Sequence, residues 1–381
     1  GLEHGIADFC VWDMTLLGLY TKVGRGPLLD DTPERLDELR QALAETRELG
    51  VNVSPLVNLR LINTTNVMWR EWGEERIIRN RHGQPALETW PCRSEYASYF
   101  QWALDEGGRV LCQSHPDFQQ YALDMCERIH DLGFTSLFLD QPFEGSLCFA
   151  EDHGHDPLAC VNAGACEWTR EALDMLRKHN PDAYTIGENP DIWNTRSLPL
   201  WWNWEWANKH AEVFRYTLPD SLQTWVVDAY EHQHQVGKAF AMGFLLAIHV
   251  RGLEKTLMDV PEFAARIKRL ADLRRKTAHC TVHGRFRDQQ GIDIDAPDDV
   301  AACRYDCGQR IGIILADCAI KPHDGRTVGI RLNAGNWGHD SLENIVLHHE
   351  DGATETVVAT NDSETLSVAL PLRHWETTVL E

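Results

Sequence analysis

The sequence predicts an α/β protein, a (β/α)8 TIM-type barrel followed by a small C-terminal antiparallel β-sandwich. Three observations lead there. From Asp117 to Asp140 the chain reads helix, glycine, buried strand, acid. Phe118, Tyr121, Ala122, Met125 and Ile129 recur at helical spacing, Gly133 breaks the run, and Phe134–Leu139 is apolar apart from two small hydroxyls. The same ending returns one unit later: Ala183–Glu188 closes on an acid, and Pro190 stands to Glu188 as Pro142 stands to Asp140. From Arg285 onward the apolar period becomes two, in runs such as Ile311–Ala316, Thr327–Leu332 and Thr365–Leu370 separated by turn residues. A chain of 381 residues has room for a barrel of about 250 residues and a smaller domain.

Taken in order, Ile6–Trp12 predicts the first strand, with Trp12 and Asp13 at its end. Thr32 caps a helix that has Pro33 in its first turn and stops at Gly50. Val51–Asn58 is a second strand, and Asn58 and Arg60 close it. Residues 64–108 show no period but many aromatics and arginines, which predicts an insertion on the catalytic face with short helices of its own. Arg109–Gln113 reads as the third strand, Phe134–Leu139 as the fourth, and Glu167–His179 as a helix stopped by Asn180 and Pro181. Ala183–Glu188 is the fifth strand and Glu212–Leu218 the sixth, closed by Pro219 and Asp220. A helix over Leu222–Val236, a seventh strand over Phe240–His249, a helix over Pro261–Lys276 and an eighth strand over Thr277–Val282 complete the barrel. The expected domains are therefore 1–284, carrying the 64–108 insertion, and 285–381.

A net charge of −22 without basic clusters argues against nucleic acid and anionic membrane surfaces as partners, and suits a small neutral polar ligand. The 11 cysteines are scattered, not framed at short spacings, and read as reduced core thiols in a cytoplasmic protein. No stretch approaches the roughly 20 apolar residues of a membrane span. The chain starts Gly-Leu-Glu, which says little about a leader. Oligomeric state is left open.

Two acids at the ends of neighbouring barrel strands are what glycoside hydrolysis needs. One carboxylate attacks or stabilises an oxocarbenium-like centre, and the other, held protonated, donates to the leaving oxygen. Asp140 is the shorter and fits the nucleophile. Glu188, flanked by Ile186 and Trp193, fits the acid/base, because apolar neighbours raise a carboxyl pKa. The competing reading is two unrelated strand-end caps. Asp220 is an alternative acid/base. Trp193, Trp201, Trp202, Trp204 and Trp206 crowd into one segment, and Trp193, Trp202 and Trp204 are candidates for stacking on sugar rings, with Trp12 beside them. Asp13, Asn58 and Arg60 could hold hydroxyls. His153-Gly-His155, with Cys148, Asp152 and Cys160 nearby, reads first as a substrate-contacting loop, second as packing and third as a metal site, since its spacing fits no standard zinc module. No metal and no cofactor is required for the two-carboxylate reaction.

The segment Arg109-Val-Leu-Cys-Gln-Ser-His-Pro116, helix, Gly133-Phe-Thr-Ser-Leu-Phe-Leu-Asp140 resembles the passage in which barrel glycoside hydrolases related to the α-galactosidases and endo-α-N-acetylgalactosaminidases place their nucleophilic Asp. Most of the chain also resembles bacterial proteins described as glycosyl-hydrolase-like. The shared features are the Leu139-Asp140-Gln141 strand end, Cys148 and the His153-Gly-His155 loop, the Glu-ended fifth strand, and the Gly284-Arg285-Phe286 turn before a β domain. The resemblance implies a retaining α-glycosidase acting on a neutral sugar, of α-galactoside or α-N-acetylgalactosaminide type. It implies Asp140 as nucleophile. The acid maps to Glu188 if the endo-α-N-acetylgalactosaminidases and the more distant α-amylases are the guide, and to Asp220 if the α-galactosidases are. Two other classes stay open: a carbohydrate-binding barrel without catalysis, and a metal-dependent hydrolase using His153 and His155.

Overall fold

The computed structural model describes residues 8–11, 32–88, 108–142, 147–156, 161–188, 195, 197–203, 211–250, 255–333, 345–362 and 365–381. The chain divides into two units, one of Ala7–Trp202 and one of Asn203–Glu381 with Gly1–Ile6.

The first unit runs β1 (Asp8–Val11), α1 (Pro33–Glu48), β2 (Asn52–Val57), β3 (Leu61–Asn63), β4 (Leu87–Glu88), β5 (Gly108–Val110), α2 (Pro116–Asp131), β6 (Ser136–Leu139), α3 (Val161–His179), β7 (Tyr184–Glu188) and β8 (Leu200–Trp202). Strands β1, β2, β6, β7 and β8 pair in that order, all parallel. The alternation of side chains gives the sheet two buried faces. Leu56, Phe138 and Ile186 form an apolar row on one face, joined by Leu200 and Trp202. Val57, Leu137 and Leu139 belong to the other, packed with Leu43 of α1, Phe118, Ala122, Met125 and Ile129 of α2, and Trp168, Ala172 and Leu176 of α3. Burial on both sides is why β6 is apolar but for Ser136, whose hydroxyl meets Asn52 and Ser54. Thr32 caps α1 by accepting from the Arg35 backbone N at 3.4 Å. Gly133 joins α2 to β6 at φ +106°, a conformation that a side chain would oppose.

The expected third strand lies elsewhere. β2 pairs directly with β6, and β5 instead joins β3 and β4 in a small antiparallel sheet. Its apolar residues serve a satellite core of Leu61, Ile78, Val110, Cys112, Cys148 and Ala150. A short apolar run has the same pattern in either sheet, so periodicity could not separate them. The expected short helices of the insertion are a π-turn at Trp69–Gly73 and a 3₁₀ turn at Glu74–Arg76.

The second unit begins with α4 (Ala211–Thr217), β9 (Leu222–Asp228), α5 (Gln235–Ala241), β10 (Leu245–His249), α6 (Pro261–Lys276) and α7 (Ala278–Thr281). β9 and β10 are parallel. Three expectations are corrected here. Of the expected sixth strand, residues 212–217 are helical. Residues 222–228 are a strand, not a helix, with Gln223–Asp228 all buried. Residues 277–282 are a helical continuation, not the eighth strand: Thr277 Oγ1 donates to the Leu273 carbonyl at 2.8 Å and Thr281 Oγ1 to the Thr277 carbonyl at 3.0 Å. Such back-bonding lets β-branched hydroxyl residues sit in a helix that their propensity disfavours. The expected seventh strand loses Phe240 and Ala241 to α5. An eight-stranded barrel is therefore not assembled as expected from these segments.

Strands β11 (Arg285–Asp288), β12 (Ile292–Asp295), β13 (Val300–Cys307), β14 (Arg310–Asp317), β15 (Arg326–Asn333), β16 (Ile345–His349), β17 (Thr354–Val357), β18 (Thr360–Asp362), β19 (Thr365–Leu372) and β20 (Thr377–Leu380) follow. They form two antiparallel sheets, ordered β11-β13-β14-β20-β16-β17 and β12-β15-β19-β18. Ala302, Ile313, Leu315 and Leu347 of one face Val328, Ile330, Val368 and Leu370 of the other, as the two-residue period anticipates. The opposite face of the larger sheet is apolar too. Cys303, Tyr305, Ile314, Ala316 and Val379 share a core with Trp225, Phe240, Phe244, Ile267 and Leu270. The division between compact units comes at 202/203. No helix among the described residues is long and apolar enough to cross a membrane.

Candidate active site

Register brings the two acids together. Leu56 lies beside Phe138, Phe138 beside Ile186 and Ile186 beside Leu200. Two residues further along each strand, on the same face, stand Asn58, Asp140, Glu188 and Trp202, with Glu188 and Trp202 directly paired. Asp140 stays in the ladder, its backbone N donating to the Val57 carbonyl at 3.0 Å. Gln141 then turns the chain at φ +48°, a left-handed conformation for a residue with a side chain, and Pro142 follows.

Asp140 is partly buried, and Glu188 is buried. The two carboxyl groups are near enough to interact with each other. Asn58 Nδ2 donates to Asp140 Oδ2 at 2.9 Å. The orientation of that amide is set by its other end, where Oδ1 accepts from the backbone N of Arg60 at 3.1 Å and of Leu61 at 2.9 Å. Burial pushes the Asp140 carboxyl above its ordinary range, against the hydrogen bonds from Glu188 and Asn58; the Glu88 carboxylate adds to the rise and the Arg60 guanidinium offsets it. Arg60 is ion-paired with Glu88. The result is a partly desolvated pair of neighbouring carboxyl groups, with Asp140 held by a neutral donor.

The remaining expected residues are placed as follows. Asn58 and Arg60 are 2% and 4% exposed, so they position Asp140 and Glu88 and do not reach out to a ligand. Trp202 is half-buried, its ring edge-on to Phe138 at 5.4 Å and 82°, as part of the apolar row. Asp220 is exposed in the turn that precedes β9, the opposite end of that strand from the one expected to carry a catalytic acid. Its placement speaks against an acid/base role. The acid that ends β9 is Asp228, whose Oδ1 accepts from the backbone N of Tyr230 at 2.8 Å and of Glu231 at 3.1 Å. His153 is 1% exposed, with Nδ1 3.4 Å from Cys148 Sγ and Nε2 2.9 Å from the Glu75 carbonyl. His155 Nε2 is 3.0 Å from Cys112 Sγ. These two histidines face thiols. Trp12, Asp13, Trp193 and Trp204 lie outside the described residues.

Three residues of the site were not anticipated. Glu88 comes from the aperiodic insertion, where no pattern marks it. Gln141 was visible only as part of a chain-breaking Gln-Pro. Gln113 donates to the Pro142 carbonyl at 2.7 Å and accepts from Trp168 Nε1 at 2.9 Å, so it supports the turn after Asp140 from a segment far away in sequence.

No family model matches the chain, and no curated protein matches it in sequence. The fold is shared with α-amylases. A noncanonic maltogenic α-amylase from Thermotoga neapolitana superposes with a TM-score of 0.60 at 12% identity, over 98% of this chain and 90% of that one. An α-amylase from Geobacillus thermoleovorans, solved in complex with acarbose, gives 0.62 at 10% identity, over 100% and 89%. A cycloisomaltooligosaccharide glucanotransferase from Paenibacillus sp., complexed with cycloisomaltoheptaose, gives 0.65 at 8% identity, over 91% and 75%. The likeness supports an α/β barrel-type architecture, and these neighbours are described as amylases and a glucanotransferase, not as the α-galactosidases or endo-α-N-acetylgalactosaminidases that the sequence motifs suggested.

Proposed function

We propose that the protein is a retaining α-glycosidase acting on a neutral sugar or oligosaccharide, with Asp140 as nucleophile and Glu188 as acid/base. The observation that carries this reading is the register that sets Asp140 and Glu188 side by side on one face of adjacent parallel strands. Adjacent strands carry the two acids on one face, which suits the roughly 5–5.5 Å carboxyl spacing of retaining enzymes. A sugar entering between them separates the pair. Glu188 then gives its proton to the glycosidic oxygen as an Asp140 oxygen bonds to the anomeric carbon and the C–O bond to the leaving group breaks. In the second half Glu188 takes a proton from water, whose oxygen displaces Asp140 and restores the starting configuration. Asn58 keeps one Asp140 oxygen oriented throughout.

The substrate panel begins with α-glucosides, because the structural neighbours are described as a maltogenic α-amylase and an acarbose complex. α-Galactosides and α-N-acetylgalactosaminides follow on the strength of the sequence motifs. A cytoplasmic setting is part of the reading, with free thiols such as Cys112, Cys126 and Cys148 as its support. The test uses aryl α-glycosides. Asp140→Asn and Glu188→Ala should each lose most turnover, and azide should restore the Glu188 variant by yielding a glycosyl azide of retained configuration. Wild-type rates in both variants would refute the assignment. Sugar binding by the wild type without turnover would replace it with the non-catalytic barrel.

A further inference from the structure

A second cluster of chemistry-bearing side chains lies in the same unit. Cys112 lies just past β5, and Cys148, His153 and His155 lie on the segment that follows the Asp140 turn. One potential ligand atom from each lies within 4.8 Å of all the others, and three of the four residues are buried. The sequence hides this set, because 35 residues separate Cys112 from Cys148. Folding closes the gap: the backbone N of Cys112 donates to the Arg76 carbonyl at 2.7 Å and that of Phe149 to the Arg79 carbonyl at 2.8 Å, so both segments are tied to the same Arg76–Arg79 stretch.

The two imidazoles are presented as ligands. His153 Nε2–H donates to the Glu75 carbonyl at 2.9 Å and His155 Nδ1–H to the Asp156 carbonyl at 3.0 Å. Each ring is thereby fixed in the tautomer whose bare nitrogen faces a sulfur, Nδ1 of His153 toward Cys148 and Nε2 of His155 toward Cys112. Zn–N bonds of about 2.0 Å and Zn–S bonds of about 2.3 Å imply tetrahedral edges of roughly 3.3–3.8 Å. The observed S···N separations of 3.4 and 3.0 Å are within a small adjustment of that. Two thiolates and two imidazoles without a carboxylate select zinc over magnesium or calcium. The exposed Asp152, with an oxygen 4.0 Å from the His153 nitrogen already given to Glu75, is not one of the set.

We propose that Cys112, Cys148, His153 and His155 bind one zinc ion in a closed structural site. The ion would clip together the end of β5, the Glu75–Arg79 stretch and the 148–155 loop, around a satellite core of six buried residues that is small to stand unaided. The clip bears on the active site through neighbours: Gln113 adjoins Cys112 and holds the Pro142 carbonyl, and β4, which carries Glu88, pairs with β5.

The experiment is metal analysis of the full chain purified under reductant from zinc-supplemented cells. About one zinc per chain is expected. Cys112→Ser and Cys148→Ser should each lose it, whereas Cys126→Ser, which removes a buried thiol outside the cluster, should keep it. Because the first two variants could misfold, the wild type is also treated with a mercurial thiol reagent in the presence of a chromogenic zinc chelator. Release of one equivalent of zinc is expected, and the cobalt-substituted protein should show thiolate-to-cobalt charge transfer with tetrahedral d–d bands. Zinc far below one per chain, a Cys112–Cys148 disulfide in the reduced preparation, or zinc retained by both cysteine variants would each overturn the proposal.

Discussion

Asn58 offers the sharpest perturbation short of removing a catalytic acid. Asn58→Ala deletes the donor to Asp140 Oδ2 and leaves two backbone N–H groups, those of Arg60 and Leu61, without their acceptor in a buried setting. A hydrogen bond to a charged group is worth about 1.5–3 kcal/mol and each stranded donor costs about 1–3 kcal/mol. Non-additivity makes about 3–5 kcal/mol the expected loss in urea unfolding. If the bond to Asp140 is felt fully in the transition state, kcat/KM falls about 10- to 100-fold. The decisive readout is the pH profile. Asp140 must be ionised to attack, and losing the donor raises its pKa further, so the acid limb of kcat/KM should move to higher pH. Asn58→Asp keeps an oxygen for the backbone donors but puts a second carboxylate against Asp140, so it should move that limb further while restoring part of the stability. An unmoved acid limb in both variants, with kcat/KM within about twofold of wild type, would show that Asn58 serves the backbone alone, and the reasoning would fail.

Asp140→Asn should separate activity from stability. Turnover should fall by about 10⁴ or more, yet the urea midpoint at neutral pH should rise. The folded-state pKa of Asp140 is raised by burial, so stability is fully present below the unfolded carboxylate pKa of about 3.9 and is lost as pH climbs through the folded value. The gain of the Asn variant should therefore fade as urea titrations are repeated at increasingly acid pH. Asp220→Asn should leave turnover unchanged and stability within about 0.5 kcal/mol, since the side chain is exposed in a turn; a large loss of activity would restore it as a candidate acid. Gly187→Ala should cost about 1–3 kcal/mol in denaturant unfolding, because an added Cβ would stand 2.3 Å from Leu198 Cδ1 and 3.0 Å from the Trp201 ring. A neutral effect would mean that the β7–β8 contact is looser than described.

What could be read from the sequence was local. Helices α1, α2 and α6 announce themselves by caps, glycines and apolar spacing, and β6 by its largely apolar run ended by an acid. The paired acids were legible because each sits at the end of its own strand. What brings them into contact is register, which no single strand encodes. The failures share a cause. Residues 109–113, 212–218 and 277–282 are short segments whose apolar or β-branched content suits more than one structure, and tertiary packing made the choice. The cluster around the histidine loop was not legible, because Cys112 lies far off in sequence and comes near only once the small antiparallel sheet has formed. Asn58 and Arg60 were recognised as site residues but assigned outward roles, since burial at a strand end cannot be read from residue type.

The central claim is that Asp140 becomes covalently bound to the sugar. Incubation with 5-fluoro-α-glycosyl fluorides of the gluco and galacto series, followed by peptide mass analysis, tests it directly. The account predicts a glycosyl adduct on Asp140 that disappears in Asp140→Asn, formed from whichever sugar series is turned over with retention in proton NMR. A label on another carboxylate, or release of the inverted anomer from an active substrate, would contradict it.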